Sequence, residues 1–588
     1  MAARRQDMLG QGRSPSLAEE CMTTEDKVDL LVIGSGAAGL SAAITARKLG
    51  LDVLVVEKTP VLGGTTAVSG GWAWIPCSPV ARRAGVGDST EQAVTYLKHE
   101  LGEAYSAPHV EAYLKHGPEM VAFLEDATEV RFLASPTFPD YHSEAPGAAM
   151  GRSIVAQPYD ARLLGKHIKL LRRPLRQTTL FGLNIGSGTE LGHFFNATRS
   201  VKSACIVSKR LAAHCRDLLL YRRGTRLANG NALAARLINS AMDAGVRFSV
   251  STRVERLERD GDRVAGAWVS VDGKPARLVR ADRGVVLACG GFSNDAAFKQ
   301  ELFRHVAAGR PHATPVIASN AGDGLRLGMS AGGVVRNQLP DNAAWMPVSL
   351  VPMPGREAAA FPHVIDRAKP GMIAVLRNGK RFVNESHSYH DFGRAYIKSG
   401  SDGDIFLICD RRALRRYGLG FVKPFPFPVG KHVKSGYLIR GESIADLATK
   451  AGIDAANLAE TLARFNAGAS RGIDQEYGKG STRYNRFQGD GGHAGNPCVA
   501  EIRSAPFYAV KLLIGDIGTF AGLATDEHAR VLDGDGRIVA GLFAAGNDMQ
   551  SIMGGNYPGA GINIGPALTF GYIAARTAAA GPDAGRPA

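Results

Sequence analysis

The stretch between Val28 and Glu57 constrains the fold of this chain more than any other. Val28 to Ile33 is an apolar run broken only by Asp29, the pattern of a strand covered on both faces in a parallel sheet. It leads into Gly34-Ser35-Gly36-Ala37-Ala38-Gly39, then an alanine-rich amphipathic stretch to Leu49, then a second apolar run ending on Glu57. The order predicts strand, tight turn, helix, strand and acid. Gly34 permits the turn, Gly36 lets a pyrophosphate approach the backbone, and Gly39 lets helix and strand pack closely. Glu57 stands where a ribose hydroxyl would be bound. The predicted fold class is α/β, built on a Rossmann-like dinucleotide-binding domain.

Two features favour a flavin nucleotide over a nicotinamide one. Directly after Glu57 comes a second loop of small residues, Gly63-Gly64-Thr65-Thr66. A long flavin nucleotide needs more donors along its diphosphate and ribityl chain than a nicotinamide half-site does. Far downstream, Asp526 to Asn547 reads as a hairpin around Asp533-Gly534-Asp535-Gly536, followed by a buried strand running into Gly546-Asn547. The nucleotide domain is therefore discontinuous, opened near the start of the chain and closed near its end. Arg283 to Asp295 predicts a further buried strand ending in a glycine pair, and Ser251 to Lys274 alternates with Asp-Gly turns as a small antiparallel sheet does. Between about Asp341 and Ala500 the texture changes to aromatics, prolines and short motifs such as NGKRFVNESHSYHDFGRAY. The expected domains are a flexible leader at 1–26, a cofactor domain at 27–340 with 501–582, and an inserted α+β catalytic domain at 341–500.

At 588 residues the chain exceeds one simple core. No run approaches the roughly 18–20 apolar residues of a membrane-spanning helix, and the arginine-bearing N-terminus lacks the apolar centre of a secretory signal. The seven cysteines are scattered, with no CxxC and no metal-ligand cluster with histidine. That predicts no disulfide scaffold, no metal and a reducing, cytoplasmic setting. The net charge of +15 is concentrated, since residues 161–230 hold fourteen Lys or Arg against two acids. No nucleic-acid motif accompanies the charge, so nucleic acid is not an expected partner.

The flavin elements, the NGKRFVNES segment and the terminal YPGAG…GPALTFGY together resemble the flavoprotein family of fumarate reductases and 3-ketosteroid dehydrogenases, and within it the 3-ketosteroid Δ1-dehydrogenases above all. Three local motifs carry the likeness: FPDY ending at Tyr141, NESHSY ending at Tyr389, and YPGAG from Tyr557 to Gly561. The resemblance implies non-covalent FAD, a 3-ketosteroid substrate, and chemistry carried by Tyr141, Tyr389, Tyr557 and Gly561. Removing two hydrogens from adjacent carbons beside a ketone needs an electrophile at the carbonyl oxygen, a base for the α-proton and a hydride acceptor. Tyr557 and the N–H of Gly561 can donate to the ketone oxygen as an oxyanion hole does. Tyr389 is expected to take the C2 proton, with Tyr141 behind it lowering its pKa, while hydride passes from C1 to flavin N5. Around the cofactor the resemblance adds Ser35, Ala38, Lys58, Ser69, Gly70, Gly71, Val254, Gly290, Asp323, Ile562 and Ile564 to Gly34, Gly36, Gly39, Glu57, Gly64, Thr65, Thr66, Gly546 and Asn547. Arg394, His387 and His390 read as framework. Ala560 and Ser388 depart from the family pattern, which often carries proline at both positions.

Residues 166–228 form a basic insertion that shorter members of the family lack. Lys202, Lys209, Arg216 and Arg223 recur at steps of seven along one side of a helix, with Val201, Ala204, Leu211, Cys215, Leu218 and Leu219 roughly opposite. Such a helix predicts a peripheral contact with the inner face of the cell membrane. Three rival readings exist. A 3-ketosteroid Δ4-dehydrogenase would share Tyr389 and Tyr557 but not Tyr141. A fumarate or other enoate reductase needs cations and a donor such as arginine where phenols stand. A catalytically silent membrane-bound flavoprotein would not need the set of tyrosines. No nicotinamide site is apparent, so an external acceptor such as a quinone is expected to reoxidise the flavin.

Overall fold

The computed structural model describes residues 25–401 and 403–581; of the expected leader, only Glu25 and Asp26 fall within them. The βαβ unit forms as its sequence predicts. Strand Glu25–Ile33 pairs in parallel with Val53–Val56 on one side and with Arg277–Leu287 on the other. Helix Ala37–Lys48 connects the first two strands, and a Cβ on Gly39 would stand 2.0 Å from the Gly34 carbonyl oxygen, the close approach that only glycine allows. Val285 to Leu287 pair in parallel with Leu542 to Ala544, so a strand from the far end of the chain completes the nucleotide sheet. Leu30, Leu31, Val32, Val53, Leu54 and Val55 are buried, each contributing about 1.5–3 kcal/mol relative to exposure. Helix Ile564–Ala580 lies along Ala37–Lys48, where Ser41 Oγ donates to the Leu568 carbonyl at 2.7 Å. The expected antiparallel layer is Thr252–Asp260 against Arg263–Val271, which continues onto Arg277–Leu287.

A second sheet caps the cofactor domain, in the order Arg356–Pro362, Ala343–Met353, Phe507–Thr519, Ile405–Asp410, Met372–Leu376, with Ile439–Gly441 also on Phe507–Thr519. Strand Phe507–Thr519 lies past the expected boundary at residue 500. It nevertheless pairs antiparallel with Ala343–Met353 and Ile405–Asp410. The capping unit thus runs on to Thr519, because its central strand finds its hydrogen-bond partners far upstream rather than among its neighbours.

The basic insertion folds into short turns followed by helices Thr189–Asn196 and Val201–Tyr221. The longer helix turns Ser203, Val207, His214 and Asp217 inward. Asp217 accepts from the Thr225 backbone N–H at 3.0 Å and its hydroxyl at 2.6 Å, and His214 Nε2 meets the Phe181 carbonyl at 3.1 Å. The inward face is narrow and largely polar. Val201 (82 %) and Leu219 (84 %) are left exposed, with Leu220 and Tyr221 beside them.

Candidate active site

Tyr141, Tyr389 and Tyr557 arrive from three separate segments and meet in one buried cluster. The Tyr141 loop is anchored by Asp140, whose carboxylate accepts from Trp74 Nε1 at 2.8 Å and Arg152 Nη1 at 2.7 Å; Arg152 also pairs with Asp88 at 2.8 Å. Tyr141 N–H donates to the Pro558 carbonyl at 2.9 Å, and Tyr96 Oη donates to the same oxygen at 2.7 Å. That shared acceptor ties the FPDY loop to the YPGAG loop. Tyr389 is the first residue of helix Tyr389–Lys398, and Ser388 caps it by accepting from the Asp391 N–H at 3.1 Å. Serine at this position therefore adds a cap of about 1 kcal/mol that proline could not supply.

Tyr141 Oη donates to Tyr389 Oη at 3.0 Å. The Tyr141 ring stacks on Tyr557 with centroids 5.6 Å apart, and Tyr389 meets Tyr557 edge-on at 5.0 Å. Burial pushes all three phenols up, Tyr557 to about 12 and the other two well above their ordinary value. Hydrogen bonds with Tyr389 and with the Gly561 backbone moderate the shift at Tyr557, so the two intended donors stand together. The structure corrects the expectation that Tyr141 lowers the Tyr389 pKa. Burial and the neighbouring phenols outweigh any stabilisation of the phenolate. Gly561 has φ +99°, and a Cβ there would come within 2.4 Å of the Trp72 carbonyl carbon, so its bare backbone is a requirement of the site.

Three further residues join the cluster without having been singled out in the sequence. The Tyr484 ring lies 4.5 Å from that of Tyr141. His142 bridges Glu100 through Nδ1 and Asp391 through Nε2, the latter at 3.0 Å, which links the Tyr141 loop to the Tyr389 helix. Its position directly after Tyr141 was the only sequence signal available. Lys423 lines the cavity from the cap. Arg394 and His390 serve as framework: Arg394 Nε pairs with Asp341 at 2.9 Å, and His390 Nδ1 accepts from the Trp345 N–H at 3.1 Å. His387 Nδ1 lies 3.3 Å from Asn485 Nδ2.

The cluster opens on a cavity of about 1170 Å³. Every position expected around the cofactor lines it except Gly39, which is taken up by helix–strand packing, and Ile562, which is buried beneath. The N-cap of helix Ala37–Lys48 is Gly36, which has no side chain to cap the helix, and the Ala37 N–H donates to Thr66 Oγ1 at 2.9 Å. This N-terminus faces the cavity, where a diphosphate can be received. Glu57 is held rigidly at the end of its strand, accepting from Ser35 N–H at 3.2 Å, Ser35 Oγ at 2.7 Å, Thr59 N–H at 3.0 Å and Thr59 Oγ1 at 2.9 Å. Lys58 pairs with Asp323 across the same wall. These residues fit an adenine dinucleotide whose far end reaches the tyrosines.

Residues 29–564 match the family described as FAD binding domain. The 4-oxocyclohex-2-ene-1-carboxylate 5-dehydrogenase of Sinomonas cyclohexanicum is 42 % identical, over 94 % of this chain and 93 % of its own. The 3-oxosteroid 1-dehydrogenase of Mycobacterium tuberculosis is 36 % identical, over 94 % and 98 %. Among solved structures, the 3-ketosteroid Δ1-dehydrogenase of Sterolibacterium denitrificans in complex with 1,4-androstadiene-3,17-dione aligns with a TM-score of 0.85 and 35 % identity, covering 94 % of this chain and all of that one.

Proposed function

We propose, for a chain that belongs to the FAD-binding flavoprotein family of the 3-ketosteroid dehydrogenases, that it introduces a C1–C2 double bond into a 3-ketosteroid. The observation that carries the reading is the meeting of three phenols and the Gly561 backbone at one end of a cavity whose other end is a dinucleotide cradle. When bound, FAD supplies the hydride acceptor for C1 at flavin N5. Tyr557 Oη and Gly561 N–H donate to the C3 oxygen as enolate charge develops, each such donor contributing about 3–4 kcal/mol. Polarising the ketone acidifies the C2 proton, which Tyr389 takes as its phenolate, its own proton having first passed to solvent. Tyr141 donates to that phenolate, and Tyr389 leaves the step as the neutral phenol. Burial raises the Tyr389 pKa, so the reactive phenolate is the minor form near neutral pH and grows as pH rises. Succinate chemistry would need cations where these phenols stand.

Anaerobic mixing with a 3-keto-4-ene steroid tests the reading. The flavin absorbance bleaches with the steroid and not with succinate. If no 3-ketosteroid bleaches it, the dehydrogenase reading fails.

The insertion extends the same reading. Helix Val201–Tyr221 carries exposed Lys202, Lys209 and Arg216 together with exposed Val201, Leu219, Leu220 and Tyr221, a surface suited to anionic headgroups and the lipid beneath them. No helix among the described residues is long and apolar enough to cross a membrane, and the contact we propose is a peripheral one. There a quinone would take the electrons. Reversing the three charges should abolish co-sedimentation with anionic vesicles, and unchanged sedimentation would sink this part of the proposal.

A further inference from the structure

We propose that the substrate carries a carboxylate remote from its ketone and that Lys423 binds it, an inference that rests on the dehydrogenase reading for the position of the ketone. Lys423 lines the same cavity as Tyr389 and Tyr557. Its ammonium stands 5.6 Å from the ring centroid of Phe421 and 6.0 Å from that of Phe361. Among the described residues it forms no ion pair. Asp366, an acid on the same wall, is already engaged: Oδ2 takes His363 Nδ1 at 2.7 Å and the Gly420 N–H at 3.0 Å, and Oδ1 takes the Arg367 N–H at 3.1 Å. Two aromatic faces restore only part of the hydration such a cation loses, and burial pushes the ammonium down from its ordinary range. Half-buried and facing the cavity, Lys423 is placed to pair with an anionic group of a bound ligand, which would supply the partner that the protein does not.

Strand Ala343–Met353 gives the separation. Trp345 donates to His390, the neighbour of Tyr389, while Ser349 pairs with Phe361, over whose ring Lys423 lies. Four residues of strand span about 13 Å. The ketone end and the cation are therefore at well-separated places in one cavity, and the cap wall they share contributes apolar Met346, Pro362, Val364 and Ile365. A rigid apolar ring body with a ketone at one end and a carboxylate at the other matches that layout. Two sources share this chemistry, a 3-ketosteroid with an acidic side chain and a single-ring keto acid, of which the steroid has the span this separation calls for.

The holoenzyme with its flavin already reduced, which cannot dehydrogenate the probes, tests the inference by binding read in an anaerobic calorimeter; the oxidised holoenzyme then reads flavin reduction separately. The probes are a 3-oxo-4-ene steroid carrying a side-chain carboxylate, its methyl ester, 4-oxocyclohexanecarboxylate and that acid's methyl ester. At least one acid should bind about 10–100-fold more tightly than its ester. The preference should collapse towards one in Lys423→Met and persist in Lys423→Arg, and whichever acid shows it identifies the source. Acids and esters that bind alike, or a preference retained in Lys423→Met, would overturn the inference. An acid that binds with this preference yet leaves the flavin oxidised under anaerobic conditions would keep the inference and remove the dehydrogenase reading.

Discussion

Tyr141 and Tyr389, 248 positions apart in the chain, share a hydrogen bond of 3.0 Å between their hydroxyls. In the proposed reaction Tyr141 donates to the Tyr389 phenolate, although burial still holds Tyr389 well above its ordinary value. The pair also puts the FPDY loop and the NESHSY helix under one constraint, because moving either element breaks the bond.

Tyr389→Phe removes the base. Flavin reduction in stopped flow should slow by about 10²–10⁴-fold, the usual worth of a positioned base, with flavin content unchanged. Tyr141→Phe removes only the donor behind it and should slow the same step about tenfold.

Tyr557→Phe leaves Gly561 as the single donor to the ketone. The loss should fall on kcat, about 10²–10³-fold, because the bond strengthens as enolate charge develops. A change confined to KM would assign Tyr557 to substrate binding alone.

Burial holds Tyr389 well above the ordinary phenol value and Tyr557 at about 12. The fraction of Tyr389 able to accept a proton therefore keeps rising with pH. The rate of flavin reduction should climb from pH 6 to 10 without levelling, and a plateau below pH 9 would mean the base titrates lower than its surroundings dictate.

His142 offers a stability measurement independent of turnover. Burial opposes its charge, but the bonds to Asp391 and Glu100 prevail and raise it to about 10, above the ~6.5 of an unfolded histidine. Its contribution is therefore fully present below about pH 6.5 and is lost as pH rises through about 10. The Tm difference between wild type and His142→Gln should be largest near pH 6 and shrink towards zero by pH 10.

The cofactor domain was legible because its signals are local. Gly34, Gly36, Gly39 and Glu57 sit at fixed spacing within one unit, where Gly34 turns at φ +108° and Gly39 lets helix and strand pack closely. The tyrosines were legible as motifs, but their mutual geometry was not. The Pro558 carbonyl that joins two motifs and the His142 bridge that joins two more are long-range contacts. The boundary at residue 500 missed Phe507–Thr519 for the same reason. In helix Val201–Tyr221 the periodicity separates two faces without saying which one the body covers. Thr225 and the Phe181 carbonyl decide that, by binding Asp217 and His214.

The positions of the two removed hydrogens test the central claim most directly. A 5α-saturated 3-ketosteroid labelled with deuterium at C1, C2, C4 and C5 is converted anaerobically, and the product is read by mass spectrometry and NMR. The account predicts loss of one label from C1 and one from C2, with C4 and C5 intact. Loss from C4 and C5, with C1 and C2 retained, would contradict it.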